Sequence, residues 1–335
     1  MQSREREGPT PWSDPLLDRL LAEAGLGGAT AVPLAGDLSA RRYARARAGD
    51  GRTAIVAGYP EALRPQLRRF LEATALCGAR GVRVPAVLAV DERAGLAVLE
   101  DLGPRTLWEE AGRGWSDLAP YYLAAIATAR RIAALPAPAV AALGSPPLDA
   151  ALLSRELEAT FTLLLVPCGL LGGSAGEERA RRVLAELCER LGETPPVPCH
   201  RDFMVRNLLP VEVGGRPDVA VIDHQDLRLG PPWYDLASLF NDSLFPPPEL
   251  TERWLDAVGW RPGPADDYHR AAVQRCLKAA GTFASFAGRG ERRHLPLVPA
   301  ALGRALAHLE RTPEGAGLAR ELAPRWRREL AGRLC

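Results

Sequence analysis

Strand-like patterning is confined to the first hundred residues of this chain, and the rest reads almost wholly as helix. Alternating or β-branched runs at 43–48 and 53–57 flank the turn Gly49–Asp50–Gly51, and two more lie at 86–90 and 97–99. One helix is expected after a cap at Ser13, with Pro15 in its first turn and Leu16, Leu17, Leu20 and Leu21 on one face, ending at Gly27–Gly28. A second, over 65–79, presents Leu67, Phe70, Leu71, Ala75 and Leu76 at helical spacing. Residues 1–12 read as a frayed tail. Helical periodicity then predicts 118–135, 148–164, 177–191, 234–240, 250–258, 268–286 and 300–310, with one short hairpin among them. Strands first and helices afterwards give an α+β chain: a small sheet-rich part over 1–100 and a larger helical part over 101–335, parted at 100–104.

The chain's 335 residues are ample for a buried core. Its net charge of +1 supplies no field for nucleic acid or an anionic membrane. No apolar run approaches the roughly 20 residues that span a bilayer, and the charged N-terminus is no secretory signal. Cysteines at 77, 168, 188, 199, 276 and 335 show neither a CxxC nor paired spacing, so reduced thiols in a cytoplasmic monomer are expected. Nearly every cation is arginine, as GC-rich codon usage produces; the exception is Lys278.

The densest chemistry lies in CHRDFMVRNLLPVEVGGRPDVAVIDHQD, residues 199–226. Two apolar runs around Gly214–Gly215 predict a hairpin. Counting outward from the glycines puts Asn207 opposite Ile222 and beside Asp223, so that Asp202, Asn207, Asp223 and Asp226 are expected to cluster. Hard oxygen ligands of this kind suit Mg2+, which takes one or two carboxylates together with phosphate oxygens and water. A His-x-Asp-x-x-x-x-Asn loop followed by a hairpin and an Asp is also the pattern of a kinase catalytic loop.

This segment resembles the aminoglycoside phosphotransferase and choline kinase superfamily, and within it the anomeric sugar kinases of the AmgK type, which act on N-acetylmuramate and N-acetylglucosamine in cell-wall recycling. The matching pieces run in order over nearly the whole chain: GDLSARRYAR at 36–45, VLEDLG at 98–103, HRDFMVRNLL at 200–209, VIDHQDLRLGPPWYDLASL at 221–239 and VQRCLKAAGTFASF at 273–286. The resemblance implies a protein-kinase-like two-lobe fold, with ATP and Mg2+ as cofactors and a small sugar as substrate. It makes Asp202 the base that orients the acceptor hydroxyl, His200 the brace of the catalytic loop, and Asn207 and Asp223 the magnesium ligands. Ser39, Arg41, Arg42, Glu100 and Leu102 would meet the nucleotide. Gln225, Asp226 and Trp233 would face the sugar, and Asp235 would support the loop backbone.

Kinases of this fold usually carry a strand lysine for the α- and β-phosphates, paired to a helix Glu. The corresponding strand here, TAIVAG, has none, so Arg41, Arg42 or Arg45 is the expected substitute. Glu72 could pair with an arginine or lie exposed on its helix. Arg275 and Lys278 read equally as snorkelling surface cations or as ligands. Cys199 has no indicated base and is not expected to be a nucleophile. Alternatives to the sugar kinase are an aminoglycoside or other small-alcohol kinase, a nucleotide-binding pseudokinase and a metal-dependent phosphohydrolase.

Overall fold

The computed structural model describes residues 15–34 and 40–332; the expected tail, the cap at Ser13 and the turn through Ser39 lie outside them. The chain divides into two units. The first holds the described residues up to Pro104 together with Ala220–Gln225, and the second holds Arg105–Val219 and the residues from Asp226 onward.

The first unit is built on a five-stranded sheet. Its elements are α1 (Pro15–Glu23), β1 (Thr30–Pro33), β2 (Arg42–Arg47), β3 (Thr53–Gly58), α2 (Arg64–Gly78), β4 (Val87–Asp91) and β5 (Leu96–Glu100). The strand order is β1-β2-β3-β5-β4, antiparallel throughout. Successive side chains of a strand leave on opposite faces, and each face carries its own apolar cluster. Leu17, Leu20 and Leu21 of α1 pack with Ala44, Ala46, Ala54, Val56 and Val98. Leu67 and Phe70 of α2 pack with Ala57, Tyr59, Ala97 and Leu99. The alanines let a helix approach the sheet closely, which a row of larger residues would prevent. Strand β1 was not expected, since TAVP is too short to show a period. The buried stripe of α2 is Leu67, Phe70, Ala73 and Cys77, whereas the predicted Ala75 is exposed and Glu72 also faces outward.

The second unit is mainly helical. Its helices are α3 (Trp115–Ala133), α4 (Ala137–Ala142), α5 (Ala150–Glu156), α6 (Glu158–Thr160), α7 (Ser174–Gly192), α8 (Tyr234–Asn241), α9 (Pro248–Val258), α10 (Ala265–Gly288), α11 (Val298–Leu309) and α12 (Ala316–Gly332). The single helix predicted over 148–164 is instead α5, then α6, then a π-helical turn at Phe161–Leu165. Helices α4 and α12 were not predicted. The expected hairpin is present as β7 (Leu208–Val213) and β8 (Arg216–Val221). Its turn glycines have φ of 59° and 73°, the left-handed pair that a two-residue turn of this kind requires. A second small sheet, β6 (Val197–Cys199) with β9 (Arg228–Gly230), corrects the expectation of one hairpin only; three-residue strands carry no readable pattern. Among the described residues no helix is long and apolar enough to cross a membrane.

Candidate active site

The loop leaving β6 is tied down from beneath. Asp235, in the first turn of α8 and only 6% exposed, accepts the backbone N–H groups of His200 at 2.7 Å and Arg201 at 2.9 Å. Arg201 has φ 78°, a conformation non-glycine residues adopt only when their surroundings impose it, and the two bonds to Asp235 are that imposition. Burial pushes the Asp235 carboxyl above its usual range, against the opposing pull of His200 and the two N–H donors. The buried His200 ring stands edge-on to Phe203 at 5.9 Å. At the far end of the loop, the Asn207 side chain donates from Nδ2 to the Asp202 carbonyl at 2.8 Å. That bond fixes the amide's direction and leaves Oδ1 as its free acceptor.

Asp202 lies among cations. Its Oδ1 accepts from Arg275 at 3.1 Å and from Lys278 at 3.4 Å, and Arg201 stands 3.6 Å from Oδ2. Burial alone would raise its pKa, but Lys278, Arg275 and Arg201 together outweigh it and hold the carboxyl well below the usual carboxylate range. The cations are themselves shared. Glu156 takes Arg201 at 2.9 Å and Lys278 at 3.4 Å, and Asp242 takes Arg206 at 2.6 Å and Arg275 at 3.6 Å. Asp226 pairs with Arg201 at 3.4 Å and Arg228 at 3.7 Å. Sequence reasoning missed Glu156, Asp242 and Arg206, and left Arg275 and Lys278 open between surface cation and ligand. Nothing local marks Glu156 or Asp242, and only the singular lysine was a usable signal.

In the first unit, Asp223 also adopts a left-handed conformation, with φ 62°. Its segment is held by the Val221 N–H on the Arg83 carbonyl at 2.8 Å, by His224 Nε2 against the Thr74 hydroxyl at 2.7 Å, and by the His224 ring on Phe70 at 4.8 Å. Asp223 Oδ1 accepts from Arg41 at 3.1 Å and from Gln225 at 2.6 Å. Its Oδ2 has no partner among the described residues. The position facing Tyr43 on β3, where a cation was sought, is the fully buried Ala57. Of the three candidate arginines, Arg41 is the one at Asp223. Arg42 is exposed, and Arg45 is held by Asp101 at 2.7 Å and the Gly103 carbonyl at 3.3 Å.

Among the described residues no three His, Cys, Asp or Glu side chains form a closed metal cage. Magnesium bound through substrate phosphates needs no such cage, because carboxylate and amide oxygens with water complete its shell. The Glu100 carboxylate accepts from Arg83 and from the Ala86 N–H. Leu102 is half-buried in the stretch that follows β5.

The sequence matches the phosphotransferase enzyme family over residues 30–273. The chain belongs to that family. It is 33% identical to the N-acetylmuramate/N-acetylglucosamine kinase of Pseudomonas aeruginosa over 93% of this chain and 94% of that protein. The kinase of the same name from Pseudomonas putida is 31% identical, with 94% of each chain covered. The choline kinase of Streptococcus pneumoniae superposes with a TM-score of 0.55 over 91% of this chain and 98% of its own, at 16% identity, and so shares the fold. The fold is the α+β, protein-kinase-like one, and this phosphotransferase is a kinase.

One expectation for this phosphotransferase needs correction. Trp233 is 2% exposed, with its ring against Tyr268 at 5.2 Å, so it is core and offers no face for a sugar. Of the two readings left open for Arg275 and Lys278, the inward one holds: their side chains are 4% and 13% exposed and turn to Asp202. Cys199 is buried and its thiol is pushed well up by that burial, which leaves no thiolate for nucleophilic chemistry.

Proposed function

We propose that this kinase transfers the γ-phosphoryl group of ATP to the anomeric hydroxyl of N-acetylmuramate or N-acetylglucosamine. The observation that carries the substrate is similarity to two kinases of that name along nearly the whole chain. The acceptor oxygen attacks the γ-phosphorus, the bond to the β–γ bridging oxygen breaks, and ADP leaves. Asp202 orients the hydroxyl and receives its proton. A carboxylate held so acidic by neighbouring cations is a weak base, which suits a loose transition state in which the proton leaves late. Asn207 and Asp223 are the residues proposed to hold Mg2+, which neutralises phosphate charge when bound. Arg41 is proposed to supply the cation that the strand lysine provides elsewhere, with Ser39, Arg42 and Leu102 as further nucleotide contacts. Gln225 and Asp226 remain the proposed sugar-side polar groups.

An aminoglycoside acceptor is disfavoured by the ion pairs. Glu156, Asp202, Asp226 and Asp242 are each already matched by arginine or lysine, so they present no spare negative charge to a polycation. The test is to incubate the protein with ATP, Mg2+ and a panel of amino sugars and aminoglycosides and to assay sugar 1-phosphate. Asp202→Asn is expected to lower turnover by about 10²–10⁴-fold with ATP binding retained. Turnover of an aminoglycoside alone, or of no alcohol at all, would refute the reading.

A further inference from the structure

Of the 42 lysine and arginine residues in the chain, one is a lysine. Whatever pressure wrote arginine at the other positions left an ammonium at position 278. The structure shows what that ammonium does. Lys278 Nζ stands 3.4 Å from Glu156 Oε1 and 3.4 Å from Asp202 Oδ1, bridging the two carboxylates. Two guanidinium groups already flank Asp202, Arg275 at 3.1 Å and Arg201 at 3.6 Å. An ammonium offers both carboxylates donors from one compact point, where an arginine would bring a third planar fork with its charge spread over a different geometry.

The helix that carries this lysine is pinned at both sides of it. Gln274 Nε2 donates to the Leu153 carbonyl at 3.2 Å and to Glu156 at 3.3 Å. The Thr160 hydroxyl donates to the Leu277 carbonyl at 2.7 Å. Gly281 comes so close to Thr160 that a Cβ there would stand 2.6 Å from its backbone nitrogen. The backbone segments that carry Glu156 and Lys278 are thus held together by packing between α5–α6 and α10.

We infer that Lys278 is a dedicated positioning residue for phosphoryl transfer: bridged to Glu156, it fixes the orientation of the Asp202 carboxylate, and arginine cannot replace it. The inference rests on the kinase reading for its kinetic consequence but not for its geometry. Because the chain has one lysine, protein labelled with ¹⁵N at lysine Nζ has one side-chain ammonium signal. At neutral pH that signal is expected to be sharp in the wild type, held against exchange with water, and to shift in both Glu156→Gln and Asp202→Asn. In kinetics, Lys278→Arg is expected to fold with an unchanged melting temperature and to lose about 100-fold in kcat, the scale of a misplaced reacting group. Its KM for ATP should stay within about threefold, because the nucleotide is not what is displaced. Lys278→Met should lose at least as much. A signal broadened away by exchange, as for a free surface lysine, would overturn the inference, as would wild-type kcat in Lys278→Arg. If the wild type phosphorylates no sugar, the proposed function fails while the ammonium signal still decides the placement of Lys278.

Discussion

Gly281→Ala tests whether the close seat of α10 against α6 is a real constraint. In an unconstrained helix interior, alanine is more favourable than glycine by about 1 kcal/mol. At Gly281 the new Cβ would meet the Thr160 hydroxyl, and its backbone nitrogen at 2.6 Å and Cα at 2.9 Å. A hydroxyl can rotate away, but backbone cannot, so the overpacking cost belongs at the upper end of about 1–3 kcal/mol. The net expectation is a loss of about 1–2 kcal/mol after the propensity gain is subtracted. Gly303, in α11, is the internal control: it is exposed, and a Cβ there would touch nothing within 4 Å. Gly303→Ala should therefore stabilise by roughly 0.5–1 kcal/mol. Thermal unfolding of the two variants side by side should separate their melting temperatures by about 2–4 °C, with wild type between them. Equal stabilisation by both substitutions would refute the close-packing argument, and with it the claim that Lys278 rides on a pinned segment.

Glu156→Gln removes one of the two carboxylates that Arg201 and Lys278 share; denaturant unfolding should show a loss of about 3 kcal/mol, the cost of breaking a buried pair from one side. His308 accepts at Nδ1 from His269 at 2.9 Å while its Nε2 faces the Asn241 amide oxygen at 3.0 Å, a geometry that holds it neutral. Burial, with His269, Arg304 and Arg311 nearby, pushes its pKa down to about 3. The unfolded chain therefore binds a proton that the folded one refuses, and stability falls as pH drops below about 6.5, by at most about 1.4 kcal/mol per unit from this group. In His308→Gln the slope between pH 6.5 and 4 should flatten in a series of urea titrations; an unchanged slope would show that other groups dominate. Trp233→Phe should leave the sugar KM within about twofold, since a buried ring cannot stack on substrate, while lowering stability by about 1 kcal/mol; a large rise in KM would restore the sugar-platform role.

Local pattern carries some features of this protein and not others. Gly214–Gly215 could be read directly, because consecutive left-handed residues between apolar runs admit almost no other structure than a tight hairpin. The helices α3, α7 and α10 were legible from their periodicity, and spacing marked Asp202, Asn207 and Asp223 as candidates. The short strands β1, β6 and β9 were not, since three or four residues hold too little pattern to separate a strand from a loop. The π-helical turn after α6 was also hidden, because it depends on how Thr160 meets α10 rather than on its own five residues.

The sequence by itself determined the α+β order of elements, the loop carrying Asp202 and Asn207, and the absence of a lysine on β3. It also displayed a single lysine without saying why. Only the tertiary structure decided that Arg41 is the cation at Asp223, that Trp233 is core, and that Lys278 bridges Glu156 to Asp202. The physical reason is the range of the interactions. Turns and helix faces are fixed by residues a few positions apart, whereas a buried carboxylate is balanced by whatever charges the fold brings within a few ångströms. For Asp202 two of its three cations come from 73 and 76 residues further along the chain.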